Sequence, residues 1–384
     1  MKVIYTDNNA TTRVDDEVLA EMTQYFCGLY GNPSSMHTFG GQVHRKIEEA
    51  REKVAGLIGA SPDEIIFTSC GTEGDNAAIR AMIEAEPEKK HIVTSRVEHP
   101  AVLNLCGHLK TKGYRVTELG VDTEGMLDLD ELKASLSDDT AVVSIMHANN
   151  ETGVMFPIEK IGEICREKGA VLHTDAVQTV GKIPIDLRKM PIDMLTISGH
   201  KLHAPKGVGA LYVRKGVKFR PFFIGGHQER SRRGGTENVP SIIGLGKACE
   251  LAGKYLPDEN TRVRKMRDRL EENLLKKAAG AKLNGHRTHR LPNTANISFE
   301  YVEGEAILLL LNEHGICASS GSACTSGSLE PSHVMRAMGV PFTFAHGSTR
   351  FSLSRYNTEE DIDVIIDKVP GIIQRLRQIS PYVK

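Results

Sequence analysis

Short apolar runs alternate with amphipathic helical segments over the first two thirds of the chain, and this alternation constrains the fold more than any other feature. The runs have the length and the β-branched content of buried strands; they are residues 64–69, 91–95, 141–148, 171–176, 193–198 and 209–213. Helical patterns such as residues 74–85 and 158–169 lie between them. The pattern predicts an α/β fold, in which a mostly parallel sheet is covered by helices on both faces.

The character of the sequence changes near residue 255. A long charged helical pattern is followed by strand, helix, strand and helix patterns, at residues 259–280, 293–300, 303–315, 349–355 and 358–379. A chain of 384 residues is long enough for two domains. We therefore predict a large domain of residues 13–254 and a smaller α+β domain of residues 1–12 and 255–384.

Composition excludes several classes of partner. The 48 Lys and Arg residues balance 49 Asp and Glu, for a net charge of −1, so neither nucleic acid nor a membrane surface is an expected partner. The first nine residues lack the apolar core of a secretory signal, and the longest aliphatic run, residues 307–311, is too short to span a bilayer. We expect a cytoplasmic protein.

The seven cysteines include one that stands apart. No Cys-x-x-Cys pair occurs, which argues against a zinc ribbon or a disulfide framework, and most of the cysteines are interpreted as small core residues. Cys324 differs, because it lies in the stretch SSGSACTSGS, residues 319–328, among small and hydroxylic residues that offer little to pack against. A thiol on such a segment can move, which is typical of a functional loop.

Polar residues follow two of the predicted strands. Asp175 and Gln178 follow one strand, and Ser198, His200 and Lys201 follow the next. The carboxyl ends of parallel strands meet at one edge of the sheet, where ligands bind. A carboxylate, a hydroxyl, an imidazole and an amine at one edge suit an aromatic cofactor with a pyridine nitrogen, a phosphate and an aldehyde. The carboxylate keeps the ring nitrogen protonated, and the lysine forms a Schiff base.

The helix start at Gly71 and Thr72 follows the strand of residues 64–69. Backbone N–H groups at a helix N-terminus, together with a threonine hydroxyl, form an anion site suited to phosphate. The alternative is an ordinary capping box between Thr72 and Asp75, and this alternative is favoured when the segment is taken alone.

Three further segments each leave two interpretations open. His99 is either the residue that starts a helix before Pro100 or an imidazole stacked on a flat ring. Asn150, in the segment ANNET, either belongs to a turn or hydrogen-bonds a cofactor or substrate. Arg350 is a candidate clamp for a substrate carboxylate, whereas Arg355 is interpreted as a surface charge.

Rival nucleotide and metal sites are not supported. The chain contains no G-x-x-x-x-G-K-[ST] motif and no complete G-x-G-x-x-G after a strand. His200 and His203 lack a third ligand at a fitting spacing, so no metal site is predicted.

Taken in order, these motifs resemble those of the class I cysteine desulfurases of the nitrogen-fixation (NifS) type, which are fold-type I enzymes dependent on pyridoxal 5′-phosphate. The resemblance covers essentially the whole chain and is carried by the motifs YTDNNATT, NPSSMH, TSCGTE, VEHPAV, ANNETG, HTDAVQ, SGHKLHAPKGVG, GGHQERSRRGGTEN, LPNTANISFE, SSGSACTSGSLEPSHVMRAMG and RFSLSRY. Two positions depart from the family pattern: Cys70 stands where glycine is common, and Gly74 where serine is common.

The resemblance implies an aspartate aminotransferase-like large domain with a seven-stranded sheet, and a small domain carrying a catalytic cysteine loop at about residues 317–332. It makes Lys201 the Schiff-base lysine and Cys324 the nucleophile. The other implied cofactor contacts are Asp175 at the ring nitrogen, Gln178 at the ring hydroxyl, His99 on the ring face, and Gly71, Thr72, Ser198 and His200 at the phosphate. Thr236 would reach the phosphate from the second subunit of a homodimer, while Arg350, Asn150 and Asn8 would contact the substrate.

The activity that the resemblance implies is conversion of L-cysteine to L-alanine, with the sulfur transferred to Cys324 as a persulfide. The acceptor would be an iron–sulfur cluster scaffold protein, with nitrogenase maturation as the implied destination. Two alternatives stay open: a selenocysteine lyase or other pyridoxal-phosphate enzyme such as an aminotransferase, and a thiol carrier without catalytic activity.

Overall fold

Strands of three sheets are present in the computed structural model, which describes residues 2–320 and 330–380. In chain order they are β1 (Ile4–Tyr5), β2 (Ile65–Thr68), β3 (His91–Ser95), β4 (Arg115–Leu119), β5 (Thr140–Ser144), β6 (Val171–Asp175), β7 (Met194–Ser198), β8 (Gly209–Val213), β9 (Ala281–Leu283), β10 (Thr294–Phe299), β11 (Ile316–Cys317) and β12 (Ser348–Ser352). The largest sheet has seven strands in the order β2–β8–β7–β6–β5–β3–β4. Within it β8 is antiparallel to both of its neighbours, and the other pairs are parallel.

Helices cover both faces of this sheet. The described helices are α1 (Asp16–Cys27), α2 (Thr38–Ile58), α3 (Gly71–Ala85), α4 (Pro100–Thr111), α5 (Leu129–Ser135), α6 (Ile158–Glu167), α7 (Val239–Asp258), α8 (Arg264–Lys277), α9 (Gly304–Glu313), α10 (His333–Ala337), α11 (Phe342–Ala345) and α12 (Glu359–Ile379). The core on one face joins β-sheet residues to α1, α2, α6 and α7, and the core on the other face joins them to α3 and α4.

The alternation of side chains along each strand explains why the strands are apolar throughout. In β7, Leu195 and Ile197 belong to the first core, whereas Met194 belongs to the second. In β2, Ile65 and Ile66 divide in the same way. Burying each such side chain stabilises the fold by about 1.5–3 kcal/mol, so a strand covered on both faces is continuously apolar. The predicted α/β fold and its mostly parallel sheet are confirmed.

The sequence prediction missed one strand of the seven-stranded sheet, misjudged the length of another, and missed the short strands β9 and β11 outside that sheet. The edge strand β4 has partly exposed side chains and a mixed polar sequence, so it lacks the apolar signal that marks the buried strands. The run at residues 141–148 ends as a strand at Ser144, and beyond it Ala148 forms an isolated bridge with Met155 instead of continuing the strand.

A third core lies in the C-terminal part of the chain. Its sheet has β10 between β9 and β12, and α8, α9 and α12 supply most of its helical side chains. Ile4 also belongs to this core, since β1 pairs in parallel with β11. The division into residues 13–254 and the remainder stays a prediction. No helix within residues 2–320 and 330–380 is long and apolar enough to cross a membrane.

The segment that follows β1 passes from the third core to the carboxyl edge of the large sheet. The backbone N–H of Asn8 donates to Ser352 O at 3.1 Å, and that of Thr12 donates to His200 O at 2.9 Å. These bonds hold the intervening residues, Asn9 and Ala10, against the loop that follows β7.

Candidate active site

A cleft of about 450 Å³ lies at the edge of the sheet where β5, β6 and β7 end. Segments that are far apart in the sequence converge on it. The residues predicted from sequence that line this cleft are Gly71, Thr72, His99, Asn150, Asp175, Gln178, Ser198, His200, Lys201 and Arg350. The structure therefore brings these predicted residues together at one place.

Lys201 lies in a single 3₁₀ turn, Gly199–Lys201, directly after β7. Its Nζ donates to Asn9 O at 2.5 Å and to Ala10 O at 2.6 Å. Burial, together with the nearby positive charges of Arg350 and Lys182, lowers the pKa of Lys201 to about 7. An amine with such a pKa is substantially neutral at physiological pH, which is the state needed for a nucleophile or a base.

This lowered pKa predicts the pH dependence of Lys201 reactivity. An amine is neutral above its pKa, so in the ligand-free chain we expect the acetylation rate of Lys201 by acetic anhydride to rise through about pH 7 and then level off. Lys206 is exposed and serves as an internal control for the acetylation of a surface lysine. Peptide mass spectrometry measures both rates in one experiment. A Lys201 rate that still climbs in parallel with that of Lys206 above pH 9 would contradict the prediction.

Asp175 is the last residue of β6 and faces the same cleft. Its Oδ1 accepts a hydrogen bond from Val177 N at 2.8 Å, which orients the carboxyl group. Burial raises the pKa of Asp175 to about 6, while this backbone bond and the charge of Lys201 oppose the shift. The carboxyl group is therefore ionised near pH 7 and is suited to hold a proton on a ring nitrogen.

The carbonyl of Asn9 connects two of the predicted residues, because it accepts from Lys201 and also from Gln178 Nε2, at 3.0 Å. The Asn9 side chain donates to Thr294 Oγ1 at 2.9 Å and to Asn150 O at 3.2 Å. The family resemblance predicts Asn8 at the substrate. The structure places Asn9 on the cleft wall, while the Asn8 amide donates to Ser352 O at 2.8 Å.

The start of α3 lies beside the end of β7. The N-cap residue, Cys70, makes no side-chain capping hydrogen bond. A Cβ atom on Gly71 would lie 3.0 Å from Val177 Cγ2 and 3.4 Å from Ser198 Cβ, so glycine lets this backbone approach the neighbouring loops closely. The alternative capping box between Thr72 and Asp75 is wrong, because Thr72 is already inside the helix and Asp75 is buried. An uncapped helix N-terminus on the cleft wall is suited to an anion.

Two histidines on the cleft wall are held as neutral rings. His99 is the N-cap of α4, and its Nδ1 accepts from Ala101 N at 3.1 Å while the residue lines the cleft. Burial, followed by the charge of Lys201, lowers the pKa of His99 to about 4. The same two causes lower the pKa of His200 to about 4, and its Nδ1 lies 3.1 Å from Thr11 Oγ1. For His99 the helix-start interpretation is correct, and stacking on a ring remains compatible with it.

The two amides of the segment ANNET, Asn149 and Asn150, make different contacts. Asn149 is buried and shapes the turn, since its Oδ1 accepts from the backbone N–H groups of Glu151 and Thr152, both at 2.9 Å. Asn150 lines the cleft, and its carbonyl accepts from Arg350. The turn interpretation therefore holds for both amides, because Asn150 lies inside the turn that Asn149 shapes, and its contact with a ligand stays a prediction.

Arg350 is almost fully buried at the wall of the cleft. Its Nη1 donates to Asn150 O at 2.9 Å, and its Nη2 pairs with Asp7 Oδ1 at 2.7 Å. A guanidinium has five N–H groups, so these two contacts orient the side chain and leave further donors. The interpretation of Arg355 as a surface charge is wrong, because its largely buried side chain pairs with Asp15 Oδ2 at 2.7 Å.

Several cleft residues were not identified from the sequence. Glu151 and His333 line the cleft, and the Ser332 hydroxyl donates to Glu151. Burial raises the pKa of Glu151 to about 7. No local pattern marks these residues: Glu151 lies in the turn that follows β5, and His333 reaches the cleft through the packing of α10 against the core of the large sheet.

Thr236 and Cys324 complete the predicted set. Thr236 is exposed and lies outside the cleft formed by its own chain. Its segment is anchored nearby, because the buried Glu229 carboxylate accepts from both Nη atoms of Arg51, at 2.7 and 2.9 Å. Cys324 lies outside the described residues.

The fold and the cleft can now be compared with known proteins. The sequence profile of the aminotransferase class-V family matches residues 4–365, and the chain belongs to this family. A cysteine desulfurase of Nostoc sp. (strain PCC 7120 / SAG 25.82 / UTEX 2576) is 63% identical over 382 residues, covering 100% of this chain and 96% of the relative. The cysteine desulfurase NifS of Azotobacter vinelandii is 58% identical over 383 residues, covering 100% and 95%.

A comparison with solved structures indicates the same family as these relatives. A structure named NifS-like protein superposes with a TM-score of 0.92 at 42% identity, covering 98% of this chain and 100% of that one. Within the class-V aminotransferases, the chain is a member of the cysteine desulfurase family of enzymes, which confirms the resemblance inferred from its motifs.

Proposed function

We propose that this chain is a pyridoxal 5′-phosphate-dependent enzyme that converts L-cysteine to L-alanine and retains the sulfur as a persulfide on Cys324. The observation that carries the proposal is the pairing of Asp175 and Lys201 in one cleft. A buried carboxylate and an amine of lowered pKa lie at the ends of adjacent strands, beside an uncapped helix N-terminus.

The residues present fit this cofactor. The cleft volume of about 450 Å³ is typical of sites for small molecules. Among the described residues, the buried Oε1 of Gln178 has no hydrogen-bond partner, and the missing side chain of Gly71 leaves the helix N-terminus approachable. Lys201 would bind the aldehyde carbon, and Asp175 the ring nitrogen. The ring face would lie on His99, the ring hydroxyl near Gln178, and the phosphate at Gly71, Thr72, Ser198 and His200.

When bound, the cofactor withdraws electrons from the Cα atom of an amino acid. The chain's own residues supply the remaining steps. Lys201 Nζ, neutral near pH 7, takes the Cα proton, and the carbonyls of Asn9 and Ala10 orient it. Arg350 holds the substrate carboxylate, with Asn150 beside it.

Cys324 accepts the sulfur in this proposal. Its thiolate attacks the substrate sulfur, so that an S–S bond forms as the C–S bond breaks. The electron pair of the C–S bond stays with carbon, which takes a proton and leaves as alanine. The exchange is balanced without an external oxidant, and a reductant is needed only to release sulfide from the persulfide.

The proposal also includes the oligomeric state of the enzyme and the acceptor of its sulfur. Thr236 would contact the phosphate bound by the second subunit of a homodimer, which its exposure outside its own cleft supports. The sulfur acceptor would be an iron–sulfur cluster scaffold protein in the cytoplasm. The 58% identity to a relative named NifS supports a role in nitrogenase maturation.

The experiment that tests the activity is product analysis. The purified protein is incubated with L-cysteine and a reductant, and alanine, sulfide and pyruvate are quantified. We expect equal amounts of alanine and sulfide. Pyruvate in place of alanine would contradict desulfuration, and alanine formed from selenocysteine but not from cysteine would favour a selenocysteine lyase.

The role of Arg350 predicts a change in substrate affinity. Arg350→Lys keeps the positive charge and loses the planar fork, so we expect KM for L-cysteine to rise by about 10-fold or more, with a smaller change in kcat. The matched control is Arg355→Lys, because Arg355 pairs with Asp15 and does not line the cleft. This control should lower thermal stability without raising KM. Equal KM values for the two variants would remove Arg350 from the substrate site.

A further inference from the structure

A chain of buried side chains crosses the large sheet beneath the cleft. Ser144 Oγ lies 2.9 Å from His173 Nδ1, and His173 Nε2 lies 2.9 Å from Thr196 Oγ1. Thr196 in turn contacts Asp75 on α3, whose Oδ1 is 3.7 Å from His173 Nε2. The four side chains come from β5, β6, β7 and α3, and all are buried. The proposed reaction uses none of them.

Asp75 forms the end of this chain that reaches the cleft wall. It is 1% exposed, and its Oδ1 has no hydrogen-bond partner among residues 2–320 and 330–380. An ionised carboxylate with an unsatisfied oxygen is costly in a buried site, whereas the neutral acid is tolerated and can donate a hydrogen bond. The geometry therefore favours the protonated form.

The titratable groups around Asp75 also favour its protonated form. They lie on β6 and on the segments before α3 and α4: Asp175, Cys70 and Glu98. Burial, and then the charge of Asp175, raise the pKa of Asp75 well above its ordinary value, and the hydrogen bond with Thr196 opposes this only in part. His173 supplies no compensating charge, since burial lowers its pKa to about 3.

Gly74 makes room for the side chain of Thr196 in this hydrogen-bonded series. A Cβ atom on this residue would lie 2.7 Å from Thr196 Cγ2 and 3.0 Å from Thr196 Oγ1. The side chain of Thr196 could not keep its position beside a larger residue. The glycine that departs from the family pattern thus permits the contact between Thr196 and Asp75.

We propose that Asp75 is held as a neutral acid that donates a hydrogen bond to Thr196. This donation sets the direction of the hydrogen bonds that link Thr196, His173 and Ser144. Thr196 then donates to His173 Nε2, and His173 carries its proton on Nδ1 and donates to Ser144. Asp175 is left as the ionised member of the carboxyl pair, which makes Asp75 a positioning residue for the charge at the ring nitrogen. This last consequence rests on the proposed function. The direction of the hydrogen bonds from Asp75 to Ser144 does not depend on it.

The two directions differ in the tautomer of His173. If Asp75 were ionised, Thr196 would donate to Asp75, and His173 would carry its proton on Nε2. Nitrogen NMR of the full chain labelled with ¹⁵N-histidine distinguishes the two tautomers, and the His173→Gln variant assigns the signal. We expect the Nδ1–H tautomer at pH 7.5, both in the cofactor-loaded protein and in the ligand-free chain.

Matched variants make the measurement decisive. Asp75→Asn imitates the neutral acid, because its amide donates to Thr196 permanently, so it should show the same His173 tautomer as the wild type. An Nε2–H tautomer in the wild type that changes to Nδ1–H in Asp75→Asn would overturn the proposal. Thr196→Val interrupts the chain and should shift both ring nitrogen signals, while Thr196→Ser should restore them. Unchanged signals in the valine variant would exclude the route through Thr196.

Measurements with and without the cofactor distinguish a failure of this proposal from a failure of the proposed function. Failure to acquire the visible absorption of bound pyridoxal phosphate would count against the function, and the tautomer in the ligand-free chain would still test Asp75. A change of His173 to the Nε2–H tautomer upon loading would show that Asp75 ionises when the site is filled, which would overturn the assignment of the charge to Asp175.

Discussion

We expect Lys201→Ala to form alanine from L-cysteine at least about 10³-fold more slowly than the wild type. The side chain has two roles in the proposed reaction, attachment of the cofactor and transfer of the Cα proton, and each such role contributes orders of magnitude to a rate. Its amine is prepared for both by burial, which lowers its pKa, and by the two backbone carbonyls that orient it. Free ammonium or methylamine added to the variant should recover part of the activity.

The matched control is Lys206→Ala, because Lys206 lies five residues further along the same loop and is exposed. We expect its rate to stay within about twofold of the wild type, as is usual for surface substitutions. Alanine formation by Lys201→Ala at more than a tenth of the wild-type rate would show that another base performs the reaction.

The second large effect is expected for Cys324→Ala. Both alanine and sulfide should fall by at least about 100-fold, since the substrate sulfur then has no thiol to receive it. The variant should keep the visible absorption of the bound cofactor, because no residue of the proposed cofactor site has changed. Loss of sulfide with alanine retained would assign the cleavage of the C–S bond to another group.

Cys27→Ala provides the control for the thiol. Cys27 is a free and exposed cysteine at the end of α1, outside the cleft. Its replacement should change neither product. If instead Cys324→Ala retained full activity, the persulfide proposal would fail while the cofactor proposal stood.

The residues at the ends of the strands were predictable because their positions depend on local sequence. Each buried strand has its own apolar signal, and Asp175 and Lys201 follow directly from where two of those strands end. The edge strand β4 was missed for the same reason, since its partly exposed side chains dilute that signal. The family motifs then supplied roles that no periodicity can assign.

The sequence was least informative where a contact joins distant segments. Which of the neighbouring amides, Asn8 or Asn9, lines the cleft depends on how the turn at residues 8–10 packs against β12, where Asn9 N donates to Ser352 Oγ at 2.9 Å. Arg355 was interpreted as a surface charge, and only the fold brings it to Asp15, which lies 340 positions away in the sequence.

The sequence by itself determined the α/β class, the mostly parallel sheet, the family and ten of the 24 residues that line the cleft. These follow from periodicity, from strand ends and from short motifs, all of which are local in the chain. Only the tertiary structure decided which backbone carbonyls hold Lys201, which carboxylate pairs with Arg350, and that Asp75 reaches His173 through Thr196. These interactions depend on burial and on the approach of segments far apart in sequence, and no local pattern specifies either.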